Sequence, residues 1–256
     1  MKELHFLLQR GDIMHTEKFA CVCSPYPCVS RTFDEIAEID AKCFKLSHVP
    51  VGSVEFTREY AKHIGINLPE EGLHYDFLEP YMAREIRRGM LSEAGDEEFV
   101  KPVRTKRFTG AIKKDLASTD SVAENTLVWI SEPVRFESEF RFYVHDFVNG
   151  PQVLGWSRYD DTDFNNPEPD HFLVREVSKL LHEMVGPSAY SVDIGWRSDL
   201  RGYSLVEIND GWSLGLYENR DPQSNPPSRR DYAEMLISRW RQILFCSLDF
   251  NLPQGG

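Results

Sequence analysis

An α+β fold with a large antiparallel component follows from this 256-residue sequence on three grounds. Short apolar runs alternate with turn-rich segments over the first 50 residues, as in a small α/β unit. Between 127 and 160, and again between 190 and 210, apolar runs are joined by the polar turns VNGP and SDLRG, which marks antiparallel hairpins. Two later segments, 171–185 and 229–247, repeat their apolar residues at helical spacing. A change of character at the acidic turn SEAGDEE sets the expected boundary near residue 95. A small α/β unit then occupies 1–94, and an α+β domain with a C-terminal helix occupies 95–256.

Each element has its own signal. HFLLQ, FACVCS and CFKLSHVPV read as the apolar pieces of the first unit, with a short helix in TFDEIAEID. VGSVEFTREYAKHIGI reads as a loop entering a helix, because Phe56, Tyr60 and Ile64 recur every four residues. FLEPYMAREIRRGML, residues 77–91, predicts an amphipathic helix starting near Pro80, with Arg84, Arg87 and Arg88 on or near one side, where they could recognise an acidic group but read more readily as a solvated face. TLVWISEPV and EFRFYVHDF predict strands, the second paired with PQVLGWSRYDD. HFLVREVSKLLHEMV gathers Leu173, Val177, Leu180, Leu181 and Met184 on one helix face, and Gly186-Pro187 stops it. YSVDIGWR and GYSLVEIND form a further hairpin. The last helix carries Tyr232, Met235, Leu236, Trp240 and Ile243.

Composition narrows the function classes. With 29 Lys+Arg against 41 Asp+Glu the formal charge is −12, which argues against generic nucleic-acid binding, since that needs a basic face. Hydrophobic residues at 41% are ordinary for a folded globule and exclude a disordered chain. No run approaches the roughly 18 apolar residues that span a bilayer, and HFLLQ is too short for a secretory signal. The five cysteines, Cys21, Cys23, Cys28, Cys43 and Cys246, cannot all pair, so the expectation is a cytoplasmic protein with free thiols. Cys21, Cys23 and Cys28 lack the matching second half of a zinc motif.

Three segments carry chemistry. Glu207 and Asn209 are two apart in a strand and project together. A hairpin partner bringing Asp193 to them would make a hard, oxygen-only site suited to Mg²⁺. An amphipathic surface hairpin, with Asn209-Asp210-Gly211 as turn chemistry, accounts for the same spacing. Lys101 ends the run EFVKP and precedes RTKRFTG, whose Thr105, Lys106, Thr109 and Gly110 suit phosphate oxygens; alone, such a loop reads as a solvated basic segment. In WISEPVRFESEFRFYV, Glu132 and Glu139 are seven apart and Arg141 follows Glu139 by two. Arg158 on the partner strand could join Arg141 at one cleft and grip an anion, or both could make surface cross-strand pairs.

The order of these features, a lysine before a loop, a strand ending in glutamate, a second glutamate, a carboxylate and then E-x-N, resembles the ATP-grasp superfamily. FVKP, SEPV…ESEFRFYV, YSVDIGW, YSLVEIND and the upstream VPVGSVEF look like its R2K clade, named for two arginines and a lysine. The resemblance covers roughly residues 98–218. It implies an ATP-grasp fold, two α+β lobes with antiparallel sheets holding ATP, preceded by a small N-terminal domain. It also implies that Lys101 contacts phosphates, and that Ile130, Ser131 and Glu132 sit at the adenine. Glu139 would hold the ribose, Asp193, Glu207 and Asn209 would hold Mg²⁺, and Arg141 and Arg158 would be the arginine pair. Either Lys101 or Lys106 is the clade lysine. Two departures stand out: VRTKRFTG has one glycine where the phosphate loop is usually glycine-rich, and Asn209 is followed by Asp-Gly-Trp, not proline-glycine.

The expected activity is an ATP- and Mg²⁺-dependent ligase joining a small-molecule or peptide carboxylate to an amine through an acyl phosphate. A small-molecule kinase, or a nucleotide-binding module without turnover, are the other readings the same residues allow.

Overall fold

The structure is a computed structural model that describes residues 4–11, 15–69, 72–73, 75–103, 108–116, 122–160, 168–184, 186–217 and 222–249. The first unit contains β1 (His5–Gln9), α1 (His15–Val22), β2 (Cys28–Arg31), α2 (Ala41–Phe44), β3 (His48–Val51) and α3 (Val54–His63). Its strands pair in parallel in the order β2-β1-β3, so the central β1 is apolar on both faces and Phe6 and Leu7 are fully buried. Ser53 starts α3 by accepting from Phe56 N at 3.1 Å, and Phe56, Tyr60 and Ile64 are buried as their spacing requires.

The remaining chain forms β4 (Gly72–Leu73), α4 (Glu79–Met82), β5 (Ile86–Met90), β6 (Phe99–Pro102), β7 (Ala111–Ile112), α5 (Lys113–Leu116) and β8 (Leu127–Ser131). There follow β9 (Ser138–Phe147), β10 (Gly150–Arg158), α6 (His171–Glu183), β11 (Ala189–Arg197), β12 (Gly202–Asp210) and α7 (Arg229–Asp249). They build a five-stranded sheet, β10-β9-β11-β12-β4, and a four-stranded sheet, β5-β8-β6-β7, both antiparallel in their described pairings. Asp170 caps α6 by accepting from Phe172 N and Leu173 N, each at 3.0 Å. The helix buries Leu173, Val174, Val177 and Leu181 against one face of the five-stranded sheet. Met184, expected on that face, lies past the helix and is exposed. The long α7 returns to the N-terminal sheet, where Tyr232, Met235, Leu236, Trp240 and Ile243 join one core with Phe6, Leu7, Phe56 and Tyr60.

The helix expected over 77–91 is not formed. α4 ends after one turn, because Ala83 takes a left-handed conformation at φ 48°, and Ile86–Met90 pair with β8 instead. Local propensity yields here to a sheet edge with an open ladder. As a result β5 precedes residue 95 yet belongs to the four-stranded sheet, and β4 belongs to the five-stranded one.

Candidate functional site

The alternation of β9, β11 and β12 sorts residues between two faces. Phe140, Phe142, Val192, Ile194, Leu205 and Ile208 enter the core under α6. Arg141 pairs in register with Asp193, and Asp193 with Glu207, so all three stand on the opposite face. A bulge makes this possible: the register shifts between Asp193 and Ile194, leaving Val206 as the extra residue of β12. Leu205 then keeps its core position while Glu207 and Asn209 turn outward. The bulge leaves Val206 on the cavity wall.

The four-stranded sheet supplies the other wall. Val100, Val128 and Ile130 are buried within it, so Lys101 points the other way and its Nζ meets Glu207 Oε2 across the gap. Between the sheets lies a cavity of about 690 Å³, lined among others by Arg84, Lys101, Trp129, Ser131, Arg141, Tyr159, Glu207, Asn209 and Tyr217.

Charges in this gap are paired. Arg141 donates from Nε to Asp193 Oδ1 at 2.9 Å and from Nη2 to Asp193 Oδ2 at 2.6 Å, and Asp193 is fully buried. Burial lifts the Asp193 carboxyl above its ordinary value, with Arg141 opposing the rise. Burial works against the Glu207 charge too, but Lys101 outweighs it and holds that carboxyl down at about 2. Burial likewise opposes the Lys101 charge, and Glu207 beside it keeps the ammonium above its usual range. Asn209 Nδ2 donates to Asp193 Oδ2 at 3.0 Å and to Glu207 Oε1 at 3.1 Å. Tyr159 and Tyr217 stack with centroids 5.2 Å apart, and the Arg141 guanidinium carbon lies 5.4 and 5.1 Å from their rings. Tyr159 also donates to Glu139 Oε2 at 2.6 Å, while burial raises the Glu139 carboxyl.

Thus Lys101, Arg141, Asp193, Glu207 and Asn209 meet, with Glu139 beside them. Ser131 lines the cavity; Ile130 turns its side chain into the core, and Glu132 is exposed at the end of β8. Arg158 does not reach the cleft. Its register partner is Phe140, and the partner of Arg141 is Ser157, so the two arginines occupy opposite faces. Arg158 instead grips Asp160, Nε to Oδ2 at 2.9 Å. Lys106 lies outside the described residues. Arg84, read from sequence as part of a solvated helix face, is in the cavity: it donates to Leu205 O at 3.1 Å and to Val206 O at 2.7 Å, the carbonyls beside the bulge. Burial lowers its guanidinium to about 10. The place of Arg84 and the pairing of Tyr159 with Tyr217 both depend on strand register, which spacing within one segment does not show. Among the described residues no three His, Cys, Asp or Glu side chains gather at a metal-binding distance, so Cys21, Cys23 and Cys28 make no such cluster. No described helix is long and apolar enough to cross a membrane.

Sheets facing each other across a cavity with this charge pattern define an ATP-grasp architecture. The family model for the ATP-grasp domain, R2K clade family 2, matches residues 81–224, and the chain belongs to that family. D-alanine–D-alanine ligase from Bacillus anthracis, complexed with ATP, matches with a TM-score of 0.55 at 14% identity, over 98% of this chain and 100% of that one. A second structure of that enzyme gives 0.50 at 12%, over 97% and 100%. N5-carboxyaminoimidazole synthase from Aspergillus clavatus, with ADP and an aminoimidazole ribonucleotide, gives 0.43 at 11%, over 81% and 69%. At 14% and 12% identity, the likeness to the two D-alanine–D-alanine ligase structures shows the fold alone. No curated protein matches the sequence.

Proposed function

We propose that the chain is an ATP- and Mg²⁺-dependent ligase that joins a carboxylate to an amine. The observation supporting this is the meeting of Lys101, Arg141, Glu207 and Asn209 at one cavity between the two sheets, with the buried Asp193 bonded to Arg141 and Asn209 behind them. A carboxylate oxygen of the acid attacks the γ-phosphorus, the bond to the bridging oxygen breaks, and ADP leaves. The amine then attacks the acyl carbon of the acyl phosphate, phosphate departs, and the amine proton passes to solvent. Lys101 is assigned to the phosphate oxygens and the free side of Arg141 to the transferred phosphoryl group or acyl phosphate. Glu139 is assigned to the ribose, and the backbone of Ile130, Ser131 and Glu132 to the adenine edge. Lys106 remains a proposed phosphate cover by its sequence position. Arg158, paired with Asp160 on the far face, is given no part.

The residues present fit Mg²⁺. Asp193 and Glu207 are carboxylates bridged by one amide, and rotating that amide about its last side-chain bond brings the Asn209 oxygen to the position of Nδ2. Bound there, Mg²⁺ would neutralise charge on the phosphoryl oxygens. Lys101 keeps Glu207 ionised beforehand, and Arg141 opposes the upward push of burial on Asp193. Thermal denaturation tests the site: saturating ATP with Mg²⁺ stabilises the wild type by about 2.7 kcal/mol at a hundred times Kd, and Glu207→Ala loses the Mg²⁺-dependent part. An unchanged denaturation temperature in the wild type contradicts the assignment.

A further inference from the structure

The bulge in β12 decides which way Glu207 faces. In plain alternation Leu205, Glu207 and Asn209 would share one face of the strand. Instead Leu205 pairs with Ile194 and Glu207 with Asp193, so Val206 has no residue opposite it on β11. Leu205 is therefore buried in the core while Glu207 lines the cavity. Removing the extra residue from the pairing would drive either Glu207 into the core or Leu205 into the cavity. A bulge also leaves backbone groups without their ladder partners. On the other edge of β12, the described pairing of β4 reaches only Ile208 and Asn209.

Arg84 meets those backbone groups. Its Nη1 donates to Leu205 O at 3.1 Å and its Nη2 to Val206 O at 2.7 Å, so one planar fork spans the bulge. Among the described residues Arg84 makes no ion pair. Its guanidinium carbon lies 5.6 Å from the centre of the Phe136 ring, and that ring is seated on Gly195 of β11, where a Cβ would meet it at 2.3 Å. The left-handed turn at Ala83, φ 48°, leads the chain out of α4 immediately before Arg84. Ala83 O accepts from Arg197 Nη1 at 2.8 Å, so both strands of the β11–β12 hairpin hold this short segment. Two residues further on, the chain enters β5 of the four-stranded sheet.

We infer that Arg84 is a positioning residue for Glu207: by bridging the Leu205 and Val206 carbonyls it holds the bulge, and with it the Glu207 carboxylate on the cavity side. The inference rests on the ligase reading, in which Glu207 holds Mg²⁺. Arg84 acts on the metal through the backbone of β12, and its charge acts on the nucleotide separately.

A variant that keeps the charge and loses the fork separates these two effects. Arg84→Lys carries one ammonium and cannot bridge two carbonyls with fixed geometry. The test uses the full chain, at a temperature where circular dichroism shows wild type and variant folded. Mn²⁺ is titrated in the presence of ADP and followed by electron paramagnetic resonance, and ADP binding is measured separately in EDTA. Arg84→Lys weakens Mn²⁺ by about tenfold or more and leaves metal-free ADP binding unchanged. Arg84→Gln, which donates to one carbonyl without charge, serves if Arg84→Lys folds poorly, and in it Mn²⁺ weakens by more than ADP does. Wild-type Mn²⁺ affinity in the variant overturns the inference. So does an equal loss of Mn²⁺ and metal-free ADP, which would make Arg84 a direct contact of the nucleotide. If Mn²⁺ binding depends on Arg84 but no acid ever releases ADP from ATP, the ligase reading falls and the positioning role stands. If acids do drive ADP release and Arg84→Lys binds Mn²⁺ as the wild type does, the positioning role falls and the ligase reading stands.

Discussion

Arg141 owes its position to a two-residue alternation and a register. Phe140 and Phe142 on either side enter the core, so the guanidinium faces Asp193 on the neighbouring strand and the tyrosine stack beside it. Arg141→Met leaves Asp193 fully buried without its cation, which costs about 3–5 kcal/mol by urea denaturation and abolishes ATP turnover. Arg158→Met breaks a pair on the far face and leaves the KM for ATP within about threefold; a larger change would return Arg158 to the cleft. His48 gives the pH dependence. Burial, with His5 nearby, depresses its imidazole from 6.5 to about 4. In that interval the unfolded chain binds the proton and the folded chain does not, so stability falls as pH falls from 6.5 towards 4. His48→Phe flattens this slope in thermal melts taken across the range, and an unaltered slope would assign it to other groups. Residue types were legible: E-x-N, the preceding aspartate and FVKP all met at one cavity. Arg84 and Tyr159 were not, because register, which no spacing in one strand reveals, decided their place.

At the scale of elements, the hairpins were readable from alternation and polar turns, and α6 and α7 from their apolar spacing. The segment 77–91 was not, since Glu, Met and Arg favour helix locally and only the partner strand β8 favours extension. The bulge in β12 is silent in LVEIN, which reads as a plain alternation. The role of α7 also exceeds its periodicity. Arg239 donates to Asp210 Oδ1 at 2.7 Å and Oδ2 at 2.6 Å, fixing the residue that follows Asn209. Gln242 reaches Ser188 N at 2.6 Å and Gly186 O at 3.2 Å, just before β11. One helix thereby holds the ends of both strands that carry the candidate metal ligands. Arg239→Met strands the fully buried Asp210 and lowers stability by about 3–5 kcal/mol in chemical denaturation. A loss below about 1 kcal/mol would show that the clamp is dispensable.

For the whole molecule, the charge of −12 describes the outside. Inside the cavity, Arg84, Lys101 and Arg141 are among the lining residues and supply the local positive charge that the proposed polyanionic nucleotide needs. The core shared by the N-terminal sheet and α7 holds these walls to one another, so the cavity depends on both ends of the chain. The central claim is condensation driven by ATP. Incubation with Mg²⁺, ATP and pools of amino acids and peptides, followed by nucleotide chromatography and mass spectrometry, tests it most directly. The account predicts ADP and phosphate in equal amounts, each matched by a product in which an acid and an amine have joined with loss of water. ATP that binds but yields no ADP, or a phosphorylated product that never condenses, would contradict it.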